Sequence, residues 1–196
     1  QHGILLIFDE VITAFGRVGA ATGAERFGVT PDLITMAKGL TNAAVPMGAV
    51  AVRREVHDMI VNTAPEGIEL FHGYTYSGHP LACAASIATL DLYQEEGLFD
   101  RARSLEEAWA AGVHSMKGVR HVIDCRNFGL IGGIELEPRP DAPTKRAMEI
   151  FHRAFDEGLL IRVTGDIIAL SPPLIISPDQ IGEIFETLAR IVAAVD

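Results

Sequence analysis

The chain has 196 residues, of which 48% are hydrophobic, so it is large enough to bury a substantial core in one large or two small domains. Acidic residues outnumber basic residues by 26 to 16, and no segment combines Lys and Arg with aromatic side chains, which argues against nucleic-acid binding. The nearly uncharged stretch 43–52 is too short to cross a membrane. Cys83 and Cys125 lie far apart and form no CxxC pair, so neither a metal site nor a disulfide framework is indicated. The reducing cytoplasm is the expected location.

The first half of the chain predicts a strand, a helix and a second strand in one unit. The run Ile4–Phe8 is apolar throughout, which is typical of a strand covered on both faces and predicts a central parallel strand. A short helix at 24–27 and a second apolar run at 32–37 follow, with room for a crossover connection between parallel strands. The elements predicted next are a strand at 46–52, a long functional loop at 62–77, and a helix at 80–96 with Ser77 as its candidate cap.

The second half predicts a compact α+β arrangement. It begins with a helix at about 99–116, which ends before Gly118. The remaining predicted elements are strands at 119–125, 130–136, 159–162 and 167–170, a helix at 144–157, and a closing helix that Pro178 opens and that runs to Val195. We therefore expect two domains, residues 1–96 and residues 97–196.

Two charged residues follow the two apolar runs of the first half. Asp9 ends the first run, and Lys38 comes directly after the second. Because open α/β sheets present ligand-binding groups at the carboxyl ends of their strands, we expect both side chains to face one ligand. A lysine amine can form an imine with an aldehyde, and a carboxylate can keep a pyridine nitrogen protonated. The pair therefore predicts a pyridoxal phosphate site.

Each of these residues also has a simpler interpretation when it is taken alone. The acidic pair Asp9 and Glu10 would more often be a strand end that meets solvent. Lys38 would more often be a surface lysine, although burial between Ala37 and Gly39 would favour its neutral, nucleophilic form.

The stretch 5–50 carries a family resemblance in both residue identity and spacing. In order, it contains DEV at 9–11, FGR at 15–17, TPD at 30–32 and KG at 38–39. Together these motifs resemble the signature of class-III pyridoxal phosphate-dependent aminotransferases. The resemblance implies the α/β fold of the fold-type I, aspartate aminotransferase-like transferases. The chain would then hold part of the large domain, with a mostly parallel sheet, and a C-terminal α+β small domain.

The resemblance implies roles for three residues near the two strands. Asp9 would pair with the pyridinium nitrogen, and Val11 would pack on one face of the ring. Lys38 would form the internal aldimine and, once displaced by a substrate amine, act as the base that moves a proton. Ordinary strand packing is the alternative role for Val11.

The loop 72–80 resembles the segment that, in this family, sends a threonine hydroxyl to the cofactor phosphate of the neighbouring subunit. Thr75 is the matching position, and Tyr74 is a candidate substrate contact. A hydroxyl and backbone amides at a helix start suit a phosphate dianion. The alternative is a solvent-exposed turn.

Near the end, the stretch 159–177 resembles the C-terminal motif of the ω-amino acid:pyruvate branch of the family. The resemblance implies that Arg162 grips a substrate carboxylate, which a planar guanidinium can bind through two parallel hydrogen bonds. The alternative is a surface arginine paired with Asp166.

The resemblance as a whole implies transamination between an amine or ω-amino acid and a keto acid such as pyruvate, by a ping-pong mechanism. It also implies a homodimer or larger assembly with the active site at the subunit interface. Another class-III activity, such as diamine, ornithine or 4-aminobutyrate transfer, stays open. Because the resemblance covers about the second half of a usual member, an inert fragment that cannot hold the cofactor alone also stays open. Ala14 and Ala43 stand where many relatives carry glycine, and Ala43 is expected to restrict the loop after Lys38.

Overall fold

The computed structural model describes residues 2–65, 67–70 and 72–196. It divides into two compact units, of which the first contains residues 1–16 and 20–97 and the second contains residues 17–19 and 98–196. That the first unit belongs to a large cofactor-binding domain and the second to a small domain stays a prediction. No helix in the described part of the chain is both long enough and apolar enough to span a bilayer.

The first unit contains a three-stranded sheet with the predicted strand, helix, strand order. Its elements are β1 (Ile7–Asp9), α1 (Gly23–Phe27), β2 (Leu33–Met36), a 3₁₀ turn (Lys38–Leu40), β3 (Ala49–Val52), α2 (Arg54–Thr63) and α3 (Pro80–Glu95). The strand order is β1-β2-β3, with β1 parallel to β2 and β2 antiparallel to β3. The predicted pair of parallel strands joined by a short helix is confirmed, and both strands run toward the same edge of the sheet.

The prediction that Ile4–Phe8 forms a central, doubly covered strand is wrong for the residues that the structure describes. The strand begins only at Ile7, and it pairs on one side only, with β2. The run is correspondingly open to solvent, with exposed fractions of 84% for Ile4 and 58% for Ile7. An apolar run indicates that a strand is suited to burial, but only a neighbouring layer can bury it.

The segment before the long loop is helical, which the sequence analysis missed. Helix α2 occupies residues 54–63, so the predicted loop at 62–77 begins after Thr63. Its N-cap residue, Arg53, makes no side-chain capping hydrogen bond, so the usual start signal is lacking. The candidate cap of α3 is also wrong, because His79 is the N-cap and it supplies no side-chain hydrogen bond.

The second unit is an antiparallel sheet packed against helices. Its elements are α4 (Leu98–Ser104), α5 (Glu106–Ser115), β4 (Val122–Phe128), β5 (Ile131–Leu136), α6 (Lys145–Asp156), β6 (Arg162–Thr164), β7 (Ile167–Leu170) and α7 (Pro178–Ala193). The strand order is β4-β5-β7-β6, and each neighbouring pair is antiparallel. The predicted helix at 99–116 is divided into α4 and α5. At the break, the Ser104 hydroxyl donates to the Arg101 carbonyl, which also accepts from the Leu105 amide.

The core of the second unit is built around Trp109 on α5. Its ring meets that of Phe185 on α7 edge to face, with centroids 5.2 Å apart. Gly112, one turn along α5, lies directly against this phenyl ring, since a Cβ placed there would come within 2.2 Å of the Phe185 Cδ2 atom. The residue must therefore be glycine for the two helices to approach as they do.

Candidate active site

Asp9 and Lys38 lie at the same edge of the first sheet. Asp9 is the last residue of β1 and stands opposite Thr35 of β2 in the parallel register. Lys38 follows β2 after one intervening residue, and it begins the 3₁₀ turn. The carboxyl ends of two neighbouring parallel strands thus carry the carboxylate and the amine that the sequence singled out.

The Asp9 carboxylate is fixed through one of its two oxygens. The Val11 amide and the Thr35 hydroxyl both donate to Asp9 Oδ1, each over 3.2 Å. The other oxygen, Oδ2, receives no hydrogen bond from the described residues. Because Asp9 is also exposed, Oδ2 is free to accept a proton-bearing nitrogen from a ligand.

The turn that carries Lys38 has an unusual backbone conformation. The backbone is left-handed at Lys38 (φ +45°), Asn42 (φ +48°) and Ala43 (φ +61°), a region that costs a non-glycine residue about 1–2 kcal/mol. The restriction expected from Ala43 is therefore present as backbone strain. Strain that persists in an ordered turn points to a functional constraint at that position.

The turn is held in place from α3 and from within. The Tyr93 hydroxyl of α3 donates to the Gly39 carbonyl over 2.7 Å, and the Thr41 hydroxyl donates to the Val45 carbonyl over 2.6 Å. The Lys38 side chain is nevertheless exposed, so the expected burial of its amine is wrong for this chain. The backbone is fixed, whereas the amine is open to a ligand.

Glu10, next to Asp9, was missed as a structural anchor. It is only 1% exposed, and its carboxylate accepts from the Gly23 amide (2.5 Å), the Ala24 amide (2.7 Å) and the Thr13 hydroxyl (2.9 Å). Its own amide donates to the Thr35 carbonyl, which continues the pairing of β1 with β2. Glu10 thus ties the strand end that bears Asp9 to the start of α1.

The opposite ends of β1 and β2 are joined by another carboxylate. The Leu6 amide donates to Asp32 Oδ2 over 2.7 Å, and Arg53 donates to Asp32 Oδ1 over 3.0 Å. The hydrogen bond from Leu6 and the Arg53 guanidinium lower the pKa of Asp32. This clamp fixes the register that sets Asp9 opposite Thr35.

Thr75 and Tyr74 are neighbours in the chain but line different cavities. Thr75 opens into a cavity of about 760 Å³ formed with the loop 45–48 and the start of α3, where the helix has no side-chain cap. Uncapped amides at a helix start attract anions. Tyr74 lines a second cavity, of about 500 Å³, and its ring contacts that of His72.

Val11 and Arg162 complete the set of predicted site residues. Val11 is partly buried, and its amide helps to hold Asp9. Arg162 belongs to the second unit, where it is exposed at the start of β6 and lines a largely apolar cavity of about 460 Å³. The alternative of an ion pair with Asp166 is wrong, because that carboxylate accepts from the Thr144 amide and is not paired with Arg162. The guanidinium is therefore available to a substrate carboxylate.

Metal ligands do not cluster in the described ranges. Nowhere in residues 2–65, 67–70 and 72–196 do three or more His, Cys, Asp or Glu side chains gather as they would around a metal ion. The two cysteines are free thiols, and burial raises the pKa of the Cys125 thiol.

The chain matches the family model of the class-III aminotransferases over residues 1–192. It is 65% identical to an omega-aminotransferase of Caulobacter vibrioides over 196 residues, which is 100% of this chain and 45% of that protein. It is 45% identical to a beta-alanine--pyruvate aminotransferase of Pseudomonas aeruginosa, over 97% of this chain and 43% of that protein.

Solved structures show the same similarity. An (S)-enantioselective omega-transaminase from Thermomicrobium roseum matches with a TM-score of 0.89 and 33% identity, covering 97% of this chain and 43% of that one. The omega transaminase from Pseudomonas jessenii, solved in complex with PMP, matches with a TM-score of 0.86 and 31% identity, covering 96% of this chain and 43% of that one.

The chain belongs to the class-III aminotransferase family, and its fold is that of the transaminases it matches. Both the family and the α/β fold expected from the motifs at 5–50 are thereby confirmed. Aminotransferases of this class depend on pyridoxal phosphate. The chain spans a little under half the length of the curated relatives it matches.

Proposed function

We propose that the protein transfers an amino group between an amine or ω-amino acid and a keto acid such as pyruvate, with pyridoxal phosphate as its cofactor. The observation that carries the proposal is the placement of Asp9 and Lys38 at the carboxyl ends of adjacent parallel strands. The names of two relatives, an omega-aminotransferase and a beta-alanine--pyruvate aminotransferase, support the substrate class.

Three sets of polar groups in the first unit fit the ring nitrogen, the aldehyde and the phosphate of this cofactor. Asp9 offers one free carboxylate oxygen, as a protonated pyridine nitrogen requires, because its other oxygen is already held. Lys38 offers an exposed primary amine on a fixed backbone, as covalent attachment to an aldehyde requires. Thr75 and the uncapped start of α3 offer a hydroxyl and amides to a phosphate.

When bound, the cofactor supplies a ring that accepts electrons from the carbon bearing the amino group. Asp9 keeps a proton on the ring nitrogen, and Val11 fixes the plane of the ring. The Lys38 amine anchors the cofactor and then moves a proton at the substrate carbon. Donor and acceptor use the same site in turn, as a ping-pong cycle requires.

The remaining residues account for the choice of substrate. Arg162 binds the carboxylate of the keto acid or of an ω-amino acid through its planar guanidinium. Tyr74 contacts the substrate. Thr75 holds the phosphate of the cofactor that is bound in the neighbouring subunit, so the working enzyme is a homodimer or a larger assembly. We place the enzyme in the cytoplasm.

The experiment that tests the proposal uses the small number of lysines. The chain contains three, Lys38, Lys117 and Lys145, so the cofactor can be trapped with borohydride and its position found by mass spectrometry. We expect a yellow protein in which Lys38 alone is labelled and in which Lys38→Ala abolishes the label. The variants Lys117→Ala and Lys145→Ala are matched controls and should keep it. A label on either control lysine, and none on Lys38, would contradict the proposed role.

Two other functions have observations in their favour. A gamma-aminobutyrate transaminase of Oryza sativa is 40% identical to this chain, which favours another class-III activity. A panel of β-alanine, 4-aminobutyrate, ornithine and a diamine, with alanine formed from pyruvate as the readout, distinguishes these activities. The exposed run that begins at Ile4, together with the length of the relatives, favours a piece that cannot hold the cofactor alone. In that case the isolated chain would not turn yellow.

A further inference from the structure

Thr35 lies opposite Asp9 in the strand pairing and precedes Lys38 by three residues in the chain. We propose that Thr35 is a positioning residue, whose hydroxyl holds the Asp9 carboxylate so that one oxygen stays aimed at the cofactor. The inference rests on the proposed function and adds to it a residue on β2 that the sequence motif does not single out.

The hydrogen bonds around Asp9 carry this inference. The Thr35 hydroxyl and the Val11 amide meet on the same oxygen, Asp9 Oδ1, at 3.2 Å each. One donor comes from the neighbouring strand and the other from the chain that follows Asp9, so the carboxylate is held from two directions. Rotation of the carboxylate would break both hydrogen bonds. The two bonds therefore also fix the position of the other oxygen, Oδ2.

The Thr35 hydroxyl is separable from the strand pairing around it. The Thr35 carbonyl accepts the Glu10 amide over 2.9 Å, and Thr35 pairs with Asp9 on one side and Val50 on the other through the backbone. A β-branched side chain is stiff at χ1, so the strand also fixes the direction of the hydroxyl. Loss of the hydroxyl should therefore leave the Asp9 carboxylate held by the Val11 amide alone, and the strand pairing should stay intact.

The position of Thr35 also relates Asp9 to Lys38. Thr35 lies on β2, and Lys38 stands three residues further along the chain, at the start of the 3₁₀ turn that follows this strand. The carboxylate on β1 is thereby positioned from β2, the strand that delivers the amine. The Asp9 carboxylate is thus held by a residue of the strand that leads into the turn of Lys38.

The test compares Thr35→Val, which keeps the shape and removes the donor, with Thr35→Ser, which keeps the donor. Thr89→Val is the matched control, because that hydroxyl donates to the Ala85 carbonyl within α3. The measurements are the Kd for pyridoxal phosphate, the visible circular dichroism of the bound cofactor, and the Tm. We expect Thr35→Val to weaken cofactor binding about 3–10-fold, which corresponds to the loss of one hydrogen bond of ordinary net strength.

The visible circular dichroism should weaken with the affinity in Thr35→Val, because the ring would lose its fixed orientation. Thr35→Ser should restore both, and the Tm of Thr35→Val should stay close to that of Thr89→Val. A Kd and a dichroism in Thr35→Val equal to those of the unmodified protein would overturn the inference and leave the proposed function intact. Equal losses in Thr35→Val and Thr35→Ser would overturn it too, because packing would then explain the effect. If the unmodified protein traps no cofactor at Lys38, both proposals fall.

Discussion

Replacing Glu10 with alanine should destabilise the first unit through the start of α1. The carboxylate is buried, and it is the acceptor for the amides of Gly23 and Ala24. Without it both amides lose their partner, at about 1–3 kcal/mol for each buried unsatisfied group. Removing a buried carboxylate also removes the cost of its desolvation, which offsets part of this loss. We expect a net loss of about 2–4 kcal/mol.

A matched control, Glu25, lies on α1 itself. The Glu25 carboxylate is exposed and accepts a single amide, that of Ala21, over 3.0 Å. Glu25→Ala removes the same chemical group from the surface and should cost less than about 1 kcal/mol. Glu10→Gln should fall between the two, because its amide oxygen can still accept one of the buried amides while its NH₂ group faces the other.

The assay must report on the first unit. The single tryptophan, Trp109, belongs to the second unit, so its fluorescence does not follow the change directly. Hydrogen exchange of the Gly23 and Ala24 amides gives the local free energy of opening, and urea unfolding followed by far-UV circular dichroism gives the wider effect. Exchange at these amides that is no faster in Glu10→Ala than in Glu25→Ala would refute the anchoring role.

Three further changes test other parts of the structure. Arg162→Ala should raise the KM for pyruvate at least about tenfold, through loss of a paired hydrogen bond to the carboxylate, and leave the KM of an uncharged amine donor nearly unchanged in steady-state assays. Gly112→Ala should lower the midpoint of urea unfolding, because the added methyl group would overpack the phenyl ring of Phe185 and reduce the free energy of unfolding by about 1–3 kcal/mol. Gly182→Ala, whose methyl group meets open space on α7, should instead raise the free energy of unfolding by up to about 1 kcal/mol. Asp32→Asn should lower the Tm at neutral pH. Because the Leu6 amide and Arg53 lower the pKa of Asp32 from its ordinary value of 3.8, its stabilisation is present above that pH and is lost as the pH falls further, so the two Tm values should converge in acid.

Each of the three has an outcome that would contradict it. For Arg162, an equal rise in KM for charged and uncharged substrates would argue against a carboxylate contact. For the glycines, equal effects of Gly112→Ala and Gly182→Ala would mean that α5 and α7 do not pack closely at this point. For Asp32, a difference in Tm that persists unchanged below the ordinary pKa would mean that the carboxylate is not held by Leu6 and Arg53.

Local signals in the sequence determined several elements and the identity of the reactive pair. Ser177 and Gln180 form a reciprocal capping box around Pro178, so α7 begins where the sequence predicts. The spacing of Asp9 and Lys38 after two apolar runs indicated that both lie at the ends of parallel strands. The capping box depends on residues close together in the chain, and each of the two charged residues was found from the apolar run directly before it, so a single sequence is enough to identify both features.

Contacts between distant residues were decided only by the tertiary structure. Thr35 meets Asp9 across 26 positions of sequence, and Glu10 meets the start of α1 across 13. Whether Ile4 is covered depends on a neighbouring layer, and Asp166 accepts the amide of Thr144, 22 positions away, although Arg162 is nearer in the chain. The hydrophobicity and charge of a side chain indicate which kinds of contact it can make. Which contact it makes depends on the strand register and on the donors that the fold brings near it.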